Sequence, residues 1–218
     1  MRQSEFNYVH EQLGNVKDFH KPKIAMEQYM TDRDCCIEIF KFIDRIVGIE
    51  DKKVIDLGSG TGMLGIGALL CNASHVTFVE MDPDPIIIAK ESLNEIMDDD
   101  EWSFDFVNDD ALTFIPVEKV DIVISNPPFG TKNNESIDYQ FVLAAYKMIK
   151  DSGHIFSLHK TSTADGLIKK VRKELPNAVG ERVADIRWVL PKTYRHQKQN
   201  SAEIAVSLLH WTINSFKR

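Results

Sequence analysis

Residues able to do chemistry are concentrated first in a glycine-rich segment. Residues 56–62 read Asp-Leu-Gly-Ser-Gly-Thr-Gly, and five of the eleven glycines of this 218-residue chain lie between Gly58 and Gly67. Glycine permits positive φ and a close approach of a ligand, and a following helix N-terminus offers free N–H groups with partial positive charge. Carboxylates at Asp56 and Glu80 could accept the hydroxyls of a ribose. The segment therefore predicts a site for a nucleotide-like ligand.

A second segment, Asn126-Pro127-Pro128-Phe129, follows the apolar stretch Val120 to Ser125. Two prolines cannot continue a strand, so the turn would hold Asn126 at the carboxyl edge of a sheet, where ligands bind in open α/β folds. An amine conjugated to a ring is a poor nucleophile. The Asn126 side-chain oxygen and the Pro127 carbonyl could accept its two N–H groups and draw the nitrogen toward tetrahedral geometry. Phe129 offers a face on which an extruded base could stack.

Alternating elements must position these two segments. Apolar stretches rich in Val, Ile and Phe predict seven strands, at Lys53 to Leu57, His75 to Glu80, Trp102 to Val107, Val120 to Ser125, His154 to His159, Arg182 to Leu190 and Glu203 to Trp211. Between the first five strands, apolar residues at helical spacing or residues typical of helix ends predict helices at Met63 to Leu70, Pro85 to Met97, Ala111 to Ile115 and Ile137 to Ile149. Strand and helix in alternation indicate a doubly wound α/β sheet with parallel strands.

The two ends of the chain depart from that alternation. Apolar residues at helical spacing predict a helix over Cys35 to Val47, so we expect residues 1–50 to form a helical extension and residues 51–218 one folding unit. A Lys-rich amphipathic helix is expected over Ala164 to Glu174. The last two strands follow it without another convincing helix, which favours an antiparallel hairpin at one side of the sheet. The acidic run Asp98 to Glu101 is predicted to be a solvated loop.

Composition narrows the class of protein. Three cysteines, Cys35, Cys36 and Cys71, include no Cys-x-x-Cys pair, which supports neither a disulfide framework nor a zinc site. The net charge is −7, so any role with nucleic acid needs a local basic patch. The longest uncharged stretch, Leu57 to Val79, is punctuated by polar residues, and the N-terminus lacks an apolar signal segment. We expect an intracellular protein with no membrane anchor and no metal.

The glycine segment followed by Asn-Pro-Pro-Phe resembles the class I S-adenosylmethionine-dependent amino methyltransferases, which modify N6 of adenine, N4 of cytosine, N2 of guanine or a glutamine amide. Three further segments, at residues 27–31, 126–134 and 158–160, are similar to the methyltransferase-like protein 5 family, N6-adenine methyltransferases of small-subunit ribosomal RNA. The resemblance covers nearly the whole chain. Two departures are visible: Ser59 and Thr61 stand where cysteines can occur, and Glu80 replaces a shorter Asp.

This resemblance implies a Rossmann-like fold, S-adenosylmethionine as cofactor and roles for particular residues. Gln28 and Thr31 would fold over the cofactor, Glu80 would take its ribose, and Asp110 with the backbone of Ala111 would meet its adenine ring. The glycine loop would line the cofactor through Gly58, Gly60, Thr61 and Met63. The transfer would be direct and in line, with Asn126, Pro127, Pro128 and Phe129 at the acceptor amine and with no metal.

Basic residues and one predicted edge strand indicate partners. Lys192, Arg195 and Lys198 lie between the last two strands and, with Lys132 and Lys160, would supply phosphate contacts for ribosomal RNA. A further basic group, at residues 17, 20, 21 and 23, could extend that track. The predicted strand Trp102 to Val107 should lie at a sheet edge, where the resemblance implies that a small zinc-binding methyltransferase activator protein binds, giving a heterodimer. Its aromatics could instead face the core. Ribosomal RNA as substrate favours nucleus, including nucleolus, and cytoplasm.

Other functions fit part of the sequence. The string at residues 60–65 also matches the dinucleotide fingerprint G-x-G-x-x-G, and Glu80 would suit NAD, but Asn-Pro-Pro-Phe has no role in an oxidoreductase. Protein glutamine N5-methylation uses the same acceptor geometry, although a protein substrate needs no phosphate track. A non-catalytic RNA-binding scaffold would tolerate loss of Glu80 or Asn126, and both are present. A tight strand-to-helix turn without ligand is the simplest alternative for the glycine segment.

Overall fold

The computed structural model describes residues 1–97, 102–130, 136–191 and 201–214. These ranges contain six α-helices, α1 (Gln3–Gln12), α2 (Arg33–Ile46), α3 (Met63–Leu70), α4 (Pro83–Ile96), α5 (Ile137–Met148) and α6 (Thr161–Glu174). They contain seven strands, β1 (Lys53–Leu57), β2 (His75–Val79), β3 (Phe104–Val107), β4 (Val120–Ser125), β5 (Ile149–Lys160), β6 (Ala178–Pro191) and β7 (Ser201–Ile213).

All seven strands belong to one sheet, in the order β3-β2-β1-β4-β5-β7-β6. The five strands from β3 to β5 are parallel to one another, because crossovers return the chain to the same edge of the sheet. β7 runs antiparallel between β5 and β6, and β6 and β7 form a long hairpin. The predicted doubly wound sheet with a terminal hairpin is confirmed, and the third strand lies at the edge.

Helices cover both faces of the sheet because successive strand residues point to opposite sides. On β1, Val54 lies in one apolar cluster with α1, α2 and α3, whereas Ile55 lies in the other with α5 and α6. Ile122 and Val123 on β4 divide in the same way. Because both faces are buried, these strands read as nearly continuous apolar stretches rather than as an alternation with polar residues.

The N-terminal residues share the first of these clusters. Phe6 and Val9 of α1 and Leu13 after it are buried with α2. α2 begins after Asp32, whose Oδ1 accepts from the backbone N–H groups of Asp34 and Cys35.

Two other local predictions differ from the structure. The helix predicted over Ala111 to Ile115 is absent: residues 111–113 form a turn, in which the Asp110 carbonyl accepts from the N–H groups of Thr113 and Phe114. The fifth strand begins at Ile149, earlier than the predicted His154, because residues before the apolar stretch also pair with β4. Asp98 to Glu101 lies outside the described residues. Within the described ranges, no helix is long and apolar enough to cross a membrane.

Helix α3 carries the glycine loop, and its small residues allow it to lie close against the sheet. All eight of its residues are buried. A Cβ added at Gly65 would lie 2.1 Å from Cε1 of Phe78 on β2. Gly62, at the start of the helix, has a φ of +86°. Glycine at these positions therefore sets how close the start of α3 lies to the ends of β1 and β2.

We expect Gly65→Ala to lower the free energy of unfolding by about 1–3 kcal/mol, because the new methyl group must displace the buried Phe78 ring. The matched control is Gly166→Ala in α6, where an added Cβ meets nothing within 4 Å. This control should raise stability by up to about 1 kcal/mol, since alanine favours helix. Urea titration followed by circular dichroism measures both. Equal stability of the two variants would contradict the packing described for α3.

Candidate functional site

A cavity of about 400 Å³ lies at the carboxyl ends of β1, β2 and β4. All nine residues predicted to hold a cofactor line it, namely Gln28, Thr31, Gly58, Gly60, Thr61, Met63, Glu80, Asp110 and Ala111. Asn126 and Pro128 of the second segment line it as well. The two segments, far apart in sequence, meet because β1 and β4 are neighbours in the sheet. The volume is typical of small-molecule sites.

The glycine loop between β1 and α3 forms one wall of the cavity. Gly58 and Gly60 have φ of +73° and +53°. A Cβ at Gly58 would lie 2.9 Å from the Phe141 ring, and one at Gly60 would lie 2.9 Å from the Phe19 ring. Both the backbone conformation and the surrounding rings thus require glycine here. The loop has no side chain at these points and exposes its backbone to whatever occupies the cavity.

Two buried carboxylates hold this loop. Asp56, at 1% exposure, accepts from the Gly65 N–H at 2.7 Å, and burial raises the pKa of this carboxyl to about 7. Glu80 accepts from the N–H groups of Gly60 at 2.9 Å and Asp82 at 2.8 Å. Burial also raises the pKa of Glu80, and these two N–H donors oppose that shift. Each carboxylate oxygen can accept more than one hydrogen bond, so Glu80 keeps capacity for a ligand hydroxyl.

Residues 17–31, here called the cover segment, pass over the cavity. Gln28 receives a hydrogen bond at its amide oxygen from the Lys23 N–H and donates from Nε2 to Asp82 Oδ2 at 2.7 Å. Lys23 Nζ pairs with Asp82 at 2.7 Å and with Asp84 at 2.9 Å. The pKa of Asp82 is raised by burial but lowered further by these partners, and it lies below its usual value. The cover segment is therefore fixed to the start of α4 through charged contacts.

The turn after β4 holds the second group of predicted residues. The Ser125 hydroxyl donates to the Leu57 carbonyl at 2.7 Å, so the last residues of β4 and β1 are joined directly. Asn126 Nδ2 donates to Thr31 Oγ1 at 3.0 Å, which orients the amide. Asn126 Oδ1 is then buried with no hydrogen-bond partner among the described residues. An acceptor oxygen without a donor at a cavity wall points to a ligand donor.

Phe129 ends the turn, half-buried beside the cover segment. Its backbone N–H donates to Glu27 Oε2 at 3.0 Å. Its ring centroid lies 5.9 Å from that of Tyr29, and Lys160 Nζ lies 5.7 Å from the Phe129 centroid. Phe129 and Pro127 do not line the 400 Å³ cavity itself. The ring therefore stands beside the cavity, with one predicted RNA-binding lysine next to it.

The cavity suits a polar, nucleoside-containing cofactor. Besides Asn126 Oδ1, the buried oxygens Ser59 Oγ and Thr61 Oγ1 on the glycine loop have no hydrogen-bond partner among the described residues. Carboxylates at Asp56 and Glu80 place negative charge where a sulfonium and an amino group would be favoured. A loop that carries buried hydroxyls without partners is expected where a ligand such as S-adenosylmethionine supplies the missing hydrogen bonds. A turn that only joins a strand to a helix would not need them. The interpretation of the glycine segment as a ligand-free turn is not supported.

Comparison with known proteins gives the family. The methyltransferase small domain family matches residues 41–175. The rRNA N(6)-adenosine-methyltransferase metl-5 of Caenorhabditis elegans is 39% identical over 204 residues, covering 91% of this chain and 94% of that protein. This chain belongs to the methyltransferase-like protein 5 family. The Drosophila melanogaster member is 32% identical and covers 99% of this chain and 100% of its own length.

Solved structures share this fold. A Pyrococcus horikoshii protein described as a proposed RNA methyltransferase superposes with a TM-score of 0.81, at 27% identity and full coverage of both chains. A Thermoplasma acidophilum structure gives 0.69 at 24% identity, with 97% of this chain and 98% of that chain covered. The Rossmann-like class I methyltransferase fold is confirmed, the protein is a methyltransferase, and S-adenosylmethionine is its methyl donor.

Among the basic residues predicted to contact RNA, those that the structure describes do not line the cavity, and four lie outside the described residues. Lys132, Lys192, Arg195 and Lys198 lie outside the described residues. Lys160 is near Phe129, as noted above. Within the basic group before Gln28, Lys17 pairs with Glu91 and Glu95, and Lys23 pairs as described, so these two lysines bind the cover segment to α4. Their charges are already matched within the chain.

Sequence reasoning missed three residues of the site. Phe19 and Phe141 pack beside Gly60 and Gly58 but lie outside the two motifs. No local sequence pattern identifies an aromatic residue that contacts a loop distant from it in the chain. Glu27 was quoted only within a family segment, yet it contacts the Asn-Pro-Pro-Phe turn. The signal that could have found Glu27 is its charge in an otherwise apolar stretch next to two predicted cofactor residues.

The raised pKa of Asp56 makes a prediction about stability. A buried carboxyl with a pKa of about 7 binds its proton more tightly in the folded than in the unfolded state, where its pKa is 3.8. Its ionisation therefore lowers stability progressively as pH rises from about 4 to about 7. Asp56→Asn keeps an oxygen for the Gly65 N–H and cannot ionise. The stability of this variant relative to the parent should rise by up to about 4 kcal/mol from pH 4 to pH 8.

Urea unfolding of the cofactor-free protein at several pH values measures this difference. Glu118→Gln, at a carboxylate that pairs with Lys53 near the surface, controls for the general effect of removing a charge. Parallel pH profiles for the Asp56→Asn variant and the parent would show that Asp56 ionises normally and would remove the proposed cost of its burial.

Proposed function

We propose that this protein transfers the methyl group of S-adenosylmethionine to the N6 amine of an adenosine in small-subunit ribosomal RNA. The observation that carries this is Asn126 Oδ1, a buried acceptor without a partner, oriented by Thr31 at the wall of the cofactor cavity. The names of the relatives from C. elegans, Danio rerio and Drosophila melanogaster, each an rRNA N(6)-adenosine methyltransferase, support the same substrate class. Nothing in the site favours a glutamine amide over this amine.

Asn126 and Pro127 prepare the acceptor nitrogen. The adenosine amine donates one N–H to Asn126 Oδ1 and the other to the Pro127 carbonyl, which aligns its lone pair away from both acceptors. Bound S-adenosylmethionine supplies an electrophilic methyl group on a sulfonium. Asn126 and Pro127 would hold the amine so that its lone pair could accept that methyl group, and the methylated nitrogen would then lose a proton to water. Holding the nitrogen in a near-attack geometry supplies much of the rate enhancement.

The remaining predicted residues bind and orient the two reactants. Glu80 holds the ribose through its carboxylate, while Asp110 and Ala111 meet the adenine of the cofactor. Gln28 and Thr31 enclose it from the cover segment. Phe129 stacks on the extruded adenosine, a contact worth about 1–3 kcal/mol in other base-aromatic stacks, and Lys160 adds positive charge beside that ring.

RNA binding to an acidic chain requires a local positive field. We assign it to Lys160 together with Lys132, Lys192, Arg195 and Lys198. Lys192, Arg195 and Lys198 belong to the segment that joins β6 and β7. Lys160, the last residue of β5, pairs with Val206 near the start of β7, so β7 begins at the edge of the sheet where the cavity lies. Phosphate contacts of this kind position RNA without reading its sequence.

A small zinc-binding methyltransferase activator protein is proposed to complete a heterodimer along β3. In the described part of the chain, β3 pairs with β2 alone, which leaves its outer backbone groups available for strand addition. The Phe106 ring stacks on Phe78 at 4.6 Å between centroids, and Phe104 meets Phe78 edge-on. These aromatics pack on the chain's own core, so the partner would bind the strand mainly through its backbone. Ribosomal RNA as substrate places the complex in nucleus and cytoplasm.

Asn126→Ala should reduce methyl transfer by on the order of 100-fold or more, because the amine loses one of its two acceptors. Its affinity for S-adenosylmethionine should be nearly unchanged. Glu80→Ala should do the reverse and weaken cofactor binding first. Labelled S-adenosylmethionine, unmodified small-subunit ribosomal RNA and nucleoside analysis report transfer, and calorimetry reports binding. Equal loss of transfer and binding in the Asn126 variant would remove the acceptor role.

Charge reversal at Lys192, Arg195 and Lys198 should weaken RNA binding and flatten the dependence of log affinity on log salt concentration, since fewer counterions are released. Reversal at Lys147, Lys169 and Lys173, three exposed lysines of α5 and α6, provides a control matched in charge. Filter binding of a ribosomal RNA fragment across a salt series measures both slopes. An unchanged slope in the triple variant would mean that RNA enters by another surface.

A further inference from the structure

Glu27 occupies a costly position in the cover segment. It follows a short 3-10 turn, Ile24–Met26, and has a left-handed backbone with φ of 50° and ψ of 41°. Residues other than glycine rarely adopt this conformation, and it persists where the surrounding structure enforces it. The Glu27 side chain lines the cofactor cavity, and its Oε1 is buried without a hydrogen-bond partner among the described residues. Both features indicate that this residue is placed for something other than stability.

The other carboxylate oxygen of Glu27 reaches the acceptor turn. Oε2 accepts from the Phe129 N–H at 3.0 Å, between residues 102 positions apart in the chain. Pro127 and Pro128 have no N–H, so Phe129 is the first residue after Asn126 whose backbone can donate. A carboxylate makes this bond stronger than a neutral acceptor would. Glu27 therefore holds the turn at the first point where its backbone can be held.

A second contact joins the same two segments. Thr31 accepts from the Asn126 amide, so the cover segment grips the turn at both its first and its last residue. Between Glu27 and Thr31 lies Gln28, which lines the cofactor cavity and is bound to Asp82. The position of the acceptor turn is thus defined relative to residues that enclose the cofactor.

We propose that Glu27 is a positioning residue for methyl transfer, one that fixes the Asn-Pro-Pro-Phe turn through the Phe129 N–H. The proposal rests on the function proposed above and deepens it. By holding Phe129, Glu27 sets the plane of the ring on which the adenosine stacks and the direction of the Pro127 carbonyl that accepts from its amine. This role belongs to Oε2, which holds the turn, whereas the ribose and loop contacts of the cofactor come from Glu80 and the glycines.

Hydrogen exchange reads the contact directly. In a peptide covering residues 126–130, the backbone amides belong to Phe129 and Gly130, since Asn126 carries the new amino terminus and the two prolines have no N–H. In the full-length protein, Glu27→Ala should speed exchange at Phe129. Glu27→Gln, which keeps an acceptor oxygen, should lie between this variant and the parent. Glu118→Ala, which removes an exposed carboxylate paired with Lys53, should leave the peptide unchanged. Unchanged exchange in Glu27→Ala would overturn the proposal.

Kinetics separate positioning from a merely structural contact. With unmodified small-subunit ribosomal RNA, kcat of the Glu27→Ala protein should fall by on the order of 100-fold, the cost of a small misplacement of reacting groups. Its Kd for S-adenosylmethionine should stay within about threefold, and Glu27→Gln should recover part of kcat, since a neutral acceptor is weaker than a carboxylate but still present. Faster exchange with unchanged kcat, or loss of kcat matched by equal loss of cofactor affinity, would overturn the role.

Failure of the proposed function gives a different result. If the parent protein binds S-adenosylmethionine but forms no N6-methyladenosine in ribosomal RNA, that function is wrong and the role of Glu27 falls with it. If the parent forms N6-methyladenosine and the Glu27→Ala protein does so at the same rate, only the role of Glu27 is wrong. Should Glu27→Ala fail to fold, Glu27→Gln decides. The proposal expects this variant to lose part of kcat at parental cofactor affinity, and an unchanged kcat would overturn the role of Glu27.

Discussion

The site depends on β1 and β4 ending side by side. Parallel pairing places Asp56 opposite Ile124, and the Ser125 hydroxyl then closes the last gap by donating to the Leu57 carbonyl. A one-residue slip of this register would turn every side chain of β4 to the other face of the sheet and carry Asn126 away from the cavity. The buried faces of both strands resist such a slip, because it would expose apolar residues of two cores at once. The glycine loop and the Asn-Pro-Pro-Phe turn are therefore aligned by the same packing that folds the chain.

Charged residues around the cavity form hydrogen bonds and ion pairs within the chain. Glu80 holds the glycine loop, Asp82 anchors Gln28 and Lys23, and Lys17 binds two glutamates of α4. These pairs close the cavity over a ligand that is itself charged and polar. They also consume basic residues that a sequence alone would assign to RNA. Because the net charge of the chain is −7, RNA binding needs positive charge concentrated near the Asn-Pro-Pro-Phe turn.

The fold and much of the site could be predicted because both rest on local patterns. The apolar stretches give the first four strands to within two residues, whereas β5 and β6 begin four or five residues earlier than predicted. The glycine and Asn-Pro-Pro-Phe segments mark strand ends by backbone chemistry. The turn at Asp110 was predicted as a helix because a short apolar string cannot show that its carbonyls close a turn instead. The roles of Phe19, Phe141 and Glu27 could not be predicted, since each contacts the backbone of a segment distant in sequence. A contact to the backbone leaves no pattern in the side chains of that segment.

The hairpin of β6 and β7 is longer than the sheet that supports it. β7 pairs with β5 only from Val206 onward, whereas the rungs from Arg187 paired with Ala205 to Pro191 paired with Ser201 have no third strand beside them. These five rungs extend the ribbon by about 16 Å past the end of β5, at the usual rise per residue. β1, β2 and β4, whose ends form the cavity, pair with neither strand of this hairpin, so the hairpin can change length by whole rungs without a change in their pairing. Reach toward a substrate and the chemistry performed on it are thus separable properties of this chain.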